Sequence, residues 1–371
     1  MTHDATFTSP VPNPDDVVAL ATALMAAEST SGAEAPAVDA AERWLVARGW
    51  RVTRIPVTPG RDCLFAEGAR PAEVVLSTHL DTVPPFIPPR VQGGRLVGRG
   101  ACDAKGIAAA MALAAGRLRD EGVAVGLLFV VGEETAHDGA HAADAAQPRV
   151  APRARVLVNG EPTESRLALG TKGALRFVLR AEGRAAHSAY PHLGDSATRR
   201  LARLLVDLDA LALPGDPVLG ATTLNVGSLA GGVADNVIAP WAEARCMVRL
   251  VTPAEQVRAL LDGWLAGHPD ASGPEGAGAS IAYGTMVPAV WLGAVPGFAT
   301  GVMAYATDVP ALGRWGTPYL FGPGSIHVAH TDHEFVDVGE LQGAVGAYVE
   351  IARSALAAAP DGRVPNDGAA G

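Results

Sequence analysis

The feature that constrains the fold most is a series of short, continuous apolar runs with one long helix-forming stretch among them. The runs are "EVVLST" (73–78), "VGLLFVV" (125–131) and "RVLVN" (155–159), and "GIAAAMALAAGRLRDEG" (106–122) lies between the first two. Strands without polar alternation are buried on both faces, as in parallel sheets whose crossovers are helices. The order strand, helix, strand therefore predicts an α/β fold, a mostly parallel sheet with helices on both faces.

The pattern changes near Gly170, where "ALRFVLRAEG" (174–183) alternates apolar and polar residues as a half-exposed strand does. The elements predicted after it are a helix (196–211), strands in "TTLNVGSLAGG" and "AEARCMVRL", a helix (252–267) and a linker, "ASGPEGAGAS" (271–280). These elements would form a smaller α+β unit, and 371 residues are too many for one ordinary core. We therefore predict a smaller domain, residues 172–285, inserted into a discontinuous α/β domain made of residues 1–171 and 286–371.

Polar residues follow each apolar run of the first domain directly. They are His79 and Asp81, Glu133 and Glu134, and Glu161. Ligands of parallel sheets bind outside the carboxyl ends of the strands. These side chains are therefore expected together at one edge of the sheet.

Two further stretches carry candidate ligands. "GRGACDAKG" (98–106) places Asp103 after a glycine-rich turn and before the long helix, and "IHVAHTDHEF" offers His327, His330 and His333. The first stretch lacks the third glycine of a dinucleotide fingerprint and the Ser or Thr that follows the lysine of a P-loop. A nucleotide-dependent enzyme is therefore the weaker interpretation.

Several carboxylates in one crevice repel each other and raise each other's pKa values, and metal cations remove that problem. The chain has three widely spaced cysteines and no CxxC, so histidines and carboxylates are the available ligands. Such donors suit a hydrolytic zinc, cobalt or manganese site. Five such ligands are too many for a single tetrahedral catalytic zinc with an open coordination position. They suit two metals that share a bridging carboxylate.

Seven motifs occur in an order that resembles the di-zinc amidohydrolases, which include acetylornithine deacetylase, succinyl-diaminopimelate desuccinylase, aminoacylase and glutamate carboxypeptidase. They are "HLDTVP" (79–84), "GRGACDAKG" (98–106), "GEE" (132–134), "GEPT" (160–163), "GTKGALRF" (170–177), "GRAAHSAYPHLG" (183–194) and "AHTDHEFV" (329–336). The resemblance covers nearly the whole chain and implies a zinc-exopeptidase-like catalytic domain.

The resemblance also implies a role for each motif residue. Its metal ligands would be His79 and Glu161 for one ion, Glu134 and His330 for the other, and Asp103 as the bridge. Glu133 would be the general base, and Asp81 would accept the second ring N–H of His79. The family further implies a cis peptide bond after Asp103.

The substrate contacts implied by the resemblance lie mainly in the inserted domain. They are His187, Asn236 and Arg249, together with Gly322 and Gly324 of the loop "FGPG" (321–324), whose backbone N–H groups would line the pocket. Arg249 could equally be a surface cation. A homodimer is expected in which the strand 174–183 and the helix from Ser196 form an exposed edge and face. The alternative is a monomer with its own lid.

The expected activity is hydrolysis of the amide of an N-acyl amino acid or short peptide, as in acetylornithine deacetylase. Dipeptidase, carboxypeptidase and desuccinylase activities stay open, because "ATDVPAL" (306–312) replaces the "GTDA" common in relatives and "DSATRR" (195–200) is unusually basic. A non-catalytic metal-binding or assembly protein is the alternative of another class, although it has no need of Glu133. The pair His137 and His141 offers a further zinc spacing, interrupted by Gly139.

Charge excludes several partners. A formal net charge of −10 disfavours nucleic acid and anionic membranes. The uncharged stretch from Met286 to Thr307 is long enough to cross a bilayer, but Pro288 and Pro296 interrupt it, so a buried loop and helix is expected there. No signal-peptide pattern begins the sequence, which favours a cytoplasmic location.

Overall fold

The computed structural model describes residues 16–359. The helices are α1 (Val17–Ala26), α2 (Ala35–Val46), α3 (Lys105–Asp120), α4 (Asp138–Val150), α5 (Ala197–Asp209), α6 (Ala254–Gly267) and α7 (Val338–Ala358). The strands are β1 (Arg51–Thr58), β2 (Arg61–Glu67), β3 (Val74–His79), β4 (Arg90–Gln92), β5 (Arg95–Val97), β6 (Val125–Val130), β7 (Val156–Asn159), β8 (Leu167–Thr171), β9 (Gly173–Glu182), β10 (Gly215–Asp216), β11 (Gly220–Ala221), β12 (Thr223–Gly231), β13 (Trp241–Leu250), β14 (Gly278–Val287), β15 (Val290–Trp291), β16 (Thr300–Met303), β17 (Thr317–Leu320) and β18 (Phe335–Asp337).

The chain divides into two compact units. Within the described residues, unit 1 comprises 16–168, 292–301 and 307–359, and unit 2 comprises 169–291 and 302–306. The predicted inserted domain, 172–285, lies inside the first segment of unit 2. The short segment 302–306 was assigned by the sequence to the catalytic domain.

Unit 1 is built on a six-stranded sheet in the order β1-β2-β6-β3-β7-β17. β6, β3, β7 and β17 run in parallel, whereas β1 and β2 form an antiparallel hairpin at one edge. Every residue of β3, β6 and β7 is buried, as their continuous apolar runs predict. The predicted α/β class with a mostly parallel sheet is confirmed.

Helix α3 is the central helix of unit 1. Its small, strongly helix-forming residues allow it to pack closely against α1, α7, β3 and β6. Twelve of its sixteen residues are buried. The helix therefore fixes the turn that precedes it, which carries Asp103.

Unit 2 contains a four-stranded antiparallel sheet in the order β12-β13-β9-β14. Alternate residues of β9 and β13 are buried against α5 and α6, which gives the unit its own apolar core. The predicted alternation of "ALRFVLRAEG" is thus present. Its predicted position at a sheet edge is wrong, because β9 is paired on both sides.

The cause of that error is the predicted linker. Its last residues, from Gly278, begin β14, which pairs with β9 along nearly its whole length. Small residues with few side-chain contacts were interpreted as a connection, yet backbone hydrogen bonds are enough to form a strand. The exposed edges of this sheet are therefore β12 and β14.

The uncharged stretch from Met286 to Thr307 contains the end of β14, β15, β16 and turns, and no helix. The predicted helix there is wrong, and much of the stretch is half-buried rather than buried. Among residues 16–359, none of the helices combines the length and apolar character that a membrane crossing needs.

Candidate metal centre

Asp103 lies at the centre of a group of acidic and histidine side chains, in which His79, Asp103 and Glu161 are buried and His330 is exposed. The peptide bond that follows it, Asp103–Ala104, is cis, as the resemblance implied. Its Oδ1 lies 3.0 Å from the Nε2 of His79, and its Oδ2 lies 3.2 Å from the Nε2 of His330. The two oxygens of one carboxylate thus face two different histidines.

Each of these histidines has a further carboxylate beside it. Glu161 completes the group on the His79 side. Glu134 completes the other group, with its Oε1 2.9 Å from the Nε2 of His330. Within each group the potential ligand atoms lie within 4.8 Å of one another. The five predicted ligands therefore form two groups of three that share Asp103.

The order of the strands brings these side chains together. His79 ends β3, Glu134 follows the turn after β6, and Glu161 follows β7. These three strands are parallel neighbours, so their carboxyl ends meet at one edge of the sheet. His330 comes from the loop before β18, where its backbone is left-handed (φ 64°).

Burial and mutual charge perturb the pKa values of this group. Burial and the nearby Asp103 raise the pKa of Glu161 well above its ordinary value, against the opposing charge of His79. Hydrogen bonds to Asp103 and Glu134 raise the pKa of His330 to about 10. Burial also raises the pKa of Asp103, but hydrogen bonds from His330 and His79 outweigh it and leave that pKa below its ordinary value.

This donor set fits divalent metal ions. The two histidines lie close enough to the carboxylates to offset part of their charge when protonated, and metal ions replace ring protons when the imidazoles ligate. Two divalent ions bring four positive charges to the three carboxylates of Asp103, Glu134 and Glu161. Imidazole and carboxylate donors without sulfur suit zinc or cobalt.

Asp81 connects the His79 strand to the turn that carries both glutamates. The Nδ1 of His79 lies 2.9 Å from the backbone oxygen of Asp81 and 3.5 Å from its carboxylate, which the sequence predicted as the acceptor. The carboxylate accepts the backbone N–H groups of Glu133 and Glu134, each at 3.2 Å. It also accepts the Ser31 hydroxyl at 2.7 Å. Asp81 therefore positions the turn of Glu133 as well as the histidine ring.

Glu334 fixes the turn of Asp103 in the same way as Asp81 fixes the turn of Glu133. The sequence predicted no role for it. Its Oε1 accepts the backbone N–H groups of Cys102 and Asp103, each at 3.2 Å. Its Oε2 pairs with Arg99 at 2.7 Å, and both side chains are almost completely buried. Glu334 thus ties the Asp103 turn to the loop of His330. Both residues stand inside quoted motifs, but nothing in those motifs indicates a pairing across more than 200 positions.

The remaining histidines do not form the sites considered for them. Within residues 16–359, neither His141, His327 nor His333 belongs to a group of three potential metal ligands, and all three side chains are exposed. The zinc spacing of His137 and His141 in the sequence therefore forms no such group within these residues. His137 instead lies beside Glu133 and a distant aspartate, Asp308.

The predicted substrate contacts of unit 2 are exposed or half-buried side chains. His187 and Asn236 are exposed, and their segments are joined where the Ser188 N–H donates to the Asn236 carbonyl at 3.0 Å. Arg249 lies half-buried on β13, and burial, together with the charge of Arg176, lowers its pKa. Arg249 makes no ion pair with any residue in the described part of the chain.

Gly322 and Gly324 lie in a buried loop after β17. The Gly322 N–H donates to the Thr163 hydroxyl at 2.9 Å, so it is engaged within the protein and does not face a substrate. A side chain at Gly322 would meet the Glu161 backbone oxygen at 2.3 Å, and one at Gly324 would meet Cys102 at 2.5 Å. These glycines therefore allow the loop to pack close to Glu161 and Cys102, and the lining of the substrate pocket by Gly324 stays a prediction.

Residues 75–354 match the sequence profile of Peptidase family M20/M25/M40. A protein of Aspergillus clavatus named "Probable carboxypeptidase" is 38% identical over 368 residues, which cover 90% of this chain and 81% of that protein. A tripeptidase of Staphylococcus aureus has the same fold, with a TM-score of 0.77 at 18% identity over 93% of this chain and 99% of its own. So does the YXEP protein of Bacillus subtilis, a "dinuclear metal binding peptidase", with a TM-score of 0.67 at 16% identity over 92% of this chain and 98% of its own. The resemblance found in the motifs is thus confirmed, and the chain belongs to peptidase family M20/M25/M40, a family of metallopeptidases.

Proposed function

We propose that the chain is a metal-dependent exopeptidase that hydrolyses an amide bond next to a free carboxylate, as a carboxypeptidase does. The observation that carries the proposal is the Asp103 carboxylate, whose two oxygens face His79 and His330. A carboxylate shared in this way supports two adjacent metal ions. The B. subtilis family member, which is described as a dinuclear metal binding peptidase, supports the same interpretation.

The ligand sets follow from the two groups around Asp103. One ion would be held by His79, Asp103 and Glu161, and the other by Asp103, Glu134 and His330. Zinc is the metal that these donors favour, with cobalt as the alternative. When bound, such ions polarise an amide carbonyl and lower the pKa of water.

Glu133 is the proposed general base. Its backbone is fixed by Asp81, one residue before the ligand Glu134, and its side chain is nearly buried. Burial and the charge of Glu161 raise its pKa well above the ordinary value, and a carboxylate with a raised pKa transfers protons more effectively near neutral pH. Glu133 would accept a proton from the attacking water and donate it to the leaving nitrogen.

Arg249 is the proposed contact for the substrate carboxylate. It is a half-buried cation whose pKa is lowered by burial and by the charge of Arg176, so a substrate carboxylate would offset that repulsion. His187 and Asn236 remain proposed substrate contacts, and their loops lie beyond the Trp241 end of β13, whereas Arg249 lies near the other end of that strand. The names of the curated relatives, "Probable carboxypeptidase", favour a peptide with a free C-terminus.

The second candidate is a deacylase of N-acyl amino acids, of which acetylornithine deacetylase is the type that the sequence first favoured. It stays open because an N-acyl amino acid offers the same amide next to the same carboxylate. The relatives' names favour carboxypeptidase or dipeptidase activity over it. A non-catalytic role is disfavoured by the presence of Glu133 at the site.

We also propose that the protein is a homodimer that associates through unit 2. Strand β12 lies at an edge of its sheet and is exposed along its length, and Leu229 on it is 63% exposed. Unpaired, apolar edge strands commonly pair with another chain. Sedimentation velocity tests the proposal, and a monomer at micromolar concentration would contradict it.

The test of function uses four substrates that share the residue on the nitrogen side of the scissile amide: an N-blocked dipeptide, its C-terminal amide, the free dipeptide and an N-acetyl amino acid. The enzyme is first stripped by chelation and then reconstituted with zinc or cobalt. We expect hydrolysis of the blocked dipeptide with a free carboxylate and much slower hydrolysis of its amide. Activity that survives exhaustive chelation would refute the metal assignment. Equal rates on acid and amide would refute the carboxypeptidase assignment.

A further inference from the structure

A second cluster of potential ligands lies beside the proposed base. The Nδ1 of His137 is 2.8 Å from the Oδ1 of Asp308 and 3.9 Å from the Oε1 of Glu133. The potential ligand atoms of the three residues all lie within 4.8 Å of one another. None of the three belongs to the two groups around Asp103.

The proposed reaction gives no role to two of these residues. Asp308 is buried, with a side chain 2% exposed, and among residues 16–359 the one hydrogen-bond partner of its carboxylate is His137. His137 begins α4 with a left-handed backbone (φ 53°), which aims its ring at a residue 171 positions away. A buried carboxylate with a single partner retains unsatisfied acceptor capacity, which a cation can use.

The spacing of the cluster fits one small cation. Two ligand atoms on a tetrahedral zinc lie about 3.3 Å apart when each is about 2.0–2.1 Å from the ion. The two measured separations from His137 Nδ1, 2.8 Å and 3.9 Å, lie on either side of that value. With a neutral imidazole, Glu133 and Asp308 carry two negative charges, which one divalent ion neutralises. Histidine and carboxylate donors are those of zinc sites.

We propose that Glu133, His137 and Asp308 form a third, weaker site for a zinc-like divalent ion. The site is weaker because the ion must displace the hydrogen bond between His137 and Asp308. The N-terminal end of α4 also carries positive partial charge, which disfavours a cation. Occupation of the site engages the Glu133 carboxylate, so excess zinc inhibits the enzyme; this consequence rests on the proposed role of Glu133 as base.

The experiment begins with protein loaded with two equivalents of zinc. ZnCl2 is then added in competition with a chromophoric chelator, and turnover is measured in parallel. The wild type is expected to bind a third equivalent of zinc and to lose activity, and the zinc concentration at half-saturation should equal that at half-inhibition.

Replacing His137 tests the site directly, and His137→Asn keeps a residue that tolerates the left-handed backbone. Both His137→Asn and Asp308→Asn should weaken binding of the third equivalent of zinc at least about tenfold. That factor is the lower end of the loss in metal affinity that follows removal of an outer partner of a metal ligand.

The matched control is His141→Ala, which removes an exposed histidine one turn further along α4 and should change neither binding nor inhibition. A wild type that binds only two equivalents, or a third equivalent with unchanged affinity in both variants, overturns the site. If the third ion binds, depends on His137 and Asp308, and leaves turnover unchanged, the site stands and the assignment of Glu133 as base fails. The two failures are therefore distinguishable.

Discussion

The candidate metal centre in unit 1 and the predicted substrate contacts in unit 2 are held in place by different means. In unit 1, carboxylates bind backbone N–H groups and fix the turns: Asp81 holds the turn of Glu133, and Glu334 holds the turn of Asp103. In unit 2, His187 and Asn236 lie on exposed loops joined by backbone contacts. The side chains of the first region are fixed by buried hydrogen bonds, whereas those of His187 and Asn236 are exposed, so immobilising them on a substrate would cost side-chain entropy.

This difference separates chemistry from specificity. Buried, hydrogen-bonded ligands tolerate few substitutions, because each supports its neighbours. Exposed loops on a rigid scaffold can change without loss of the fold, and binding residues are often found there. Variants in unit 1 should therefore affect turnover, metal and stability, and variants in unit 2 should affect substrate preference.

The largest effect is expected for Glu133→Gln, which keeps the shape of the side chain and removes the proton acceptor. Loss of a general base costs about 10²–10⁴-fold in rate, so kcat should fall by that factor. Metal content, measured by elemental analysis after dialysis, should stay close to wild type. The comparison variant is Glu134→Gln, which should lose metal as well as activity. A Glu133→Gln enzyme that keeps most of its kcat would show that another group is the base.

The next effect concerns stability and compares a buried ion pair in unit 1 with an exposed pair in unit 2. Glu334→Gln leaves the buried Arg99 without its counter-charge, and breaking such a pair costs about 3–5 kcal/mol. Arg203→Gln breaks the pair with Asp270, in which the arginine is 57% exposed, and should cost about 0–1 kcal/mol. Urea denaturation of the metal-free proteins gives both values.

A metal titration of the same two variants tests whether Glu334 positions Asp103. Glu334→Gln should bind zinc more weakly, whereas Arg203→Gln should bind it as the wild type does. If Glu334→Gln lost stability but bound both metals unchanged, Glu334 would support the fold without organising the site.

The sequence predicts the sheet of unit 1 and the meeting of its candidate ligands at one edge well, because both follow from strands. Continuous apolar runs indicate buried parallel strands, and His79, Glu134 and Glu161 follow from where those strands end. The link of Glu334 to Asp103 and that of His137 to Asp308 could not be predicted. Both join loops far apart in the chain, where no periodic pattern indicates which side chains meet.

Unit 2 was predicted less completely for a related reason. Its alternating strand, β9, was recognised, but the position of β9 in the sheet depends on β14, whose first residues have the composition of a linker. Periodicity reports which face of a strand is buried, not which strands are its neighbours. The same limit applies to Arg249, whose half-buried position and proximity to Arg176 depend on how the strands pair.

The smallest effect is expected in unit 2, and it tests whether that unit contacts the substrate. Arg249→Gln removes the proposed contact for the substrate carboxylate, and a hydrogen bond to a charged group is worth about 1.5–3 kcal/mol, or about 10–150-fold. We expect kcat/KM to fall by that factor for a blocked dipeptide with a free carboxylate, mainly through KM, and little for its C-terminal amide. Arg245→Gln is the matched control, because Arg245 lies on the same strand, is 68% exposed and is paired with Glu243. An equal loss on acid and amide would mean that Arg249 stabilises unit 2 and does not bind the carboxylate. A loss confined to the acid would mean that specificity and chemistry are indeed held in different units.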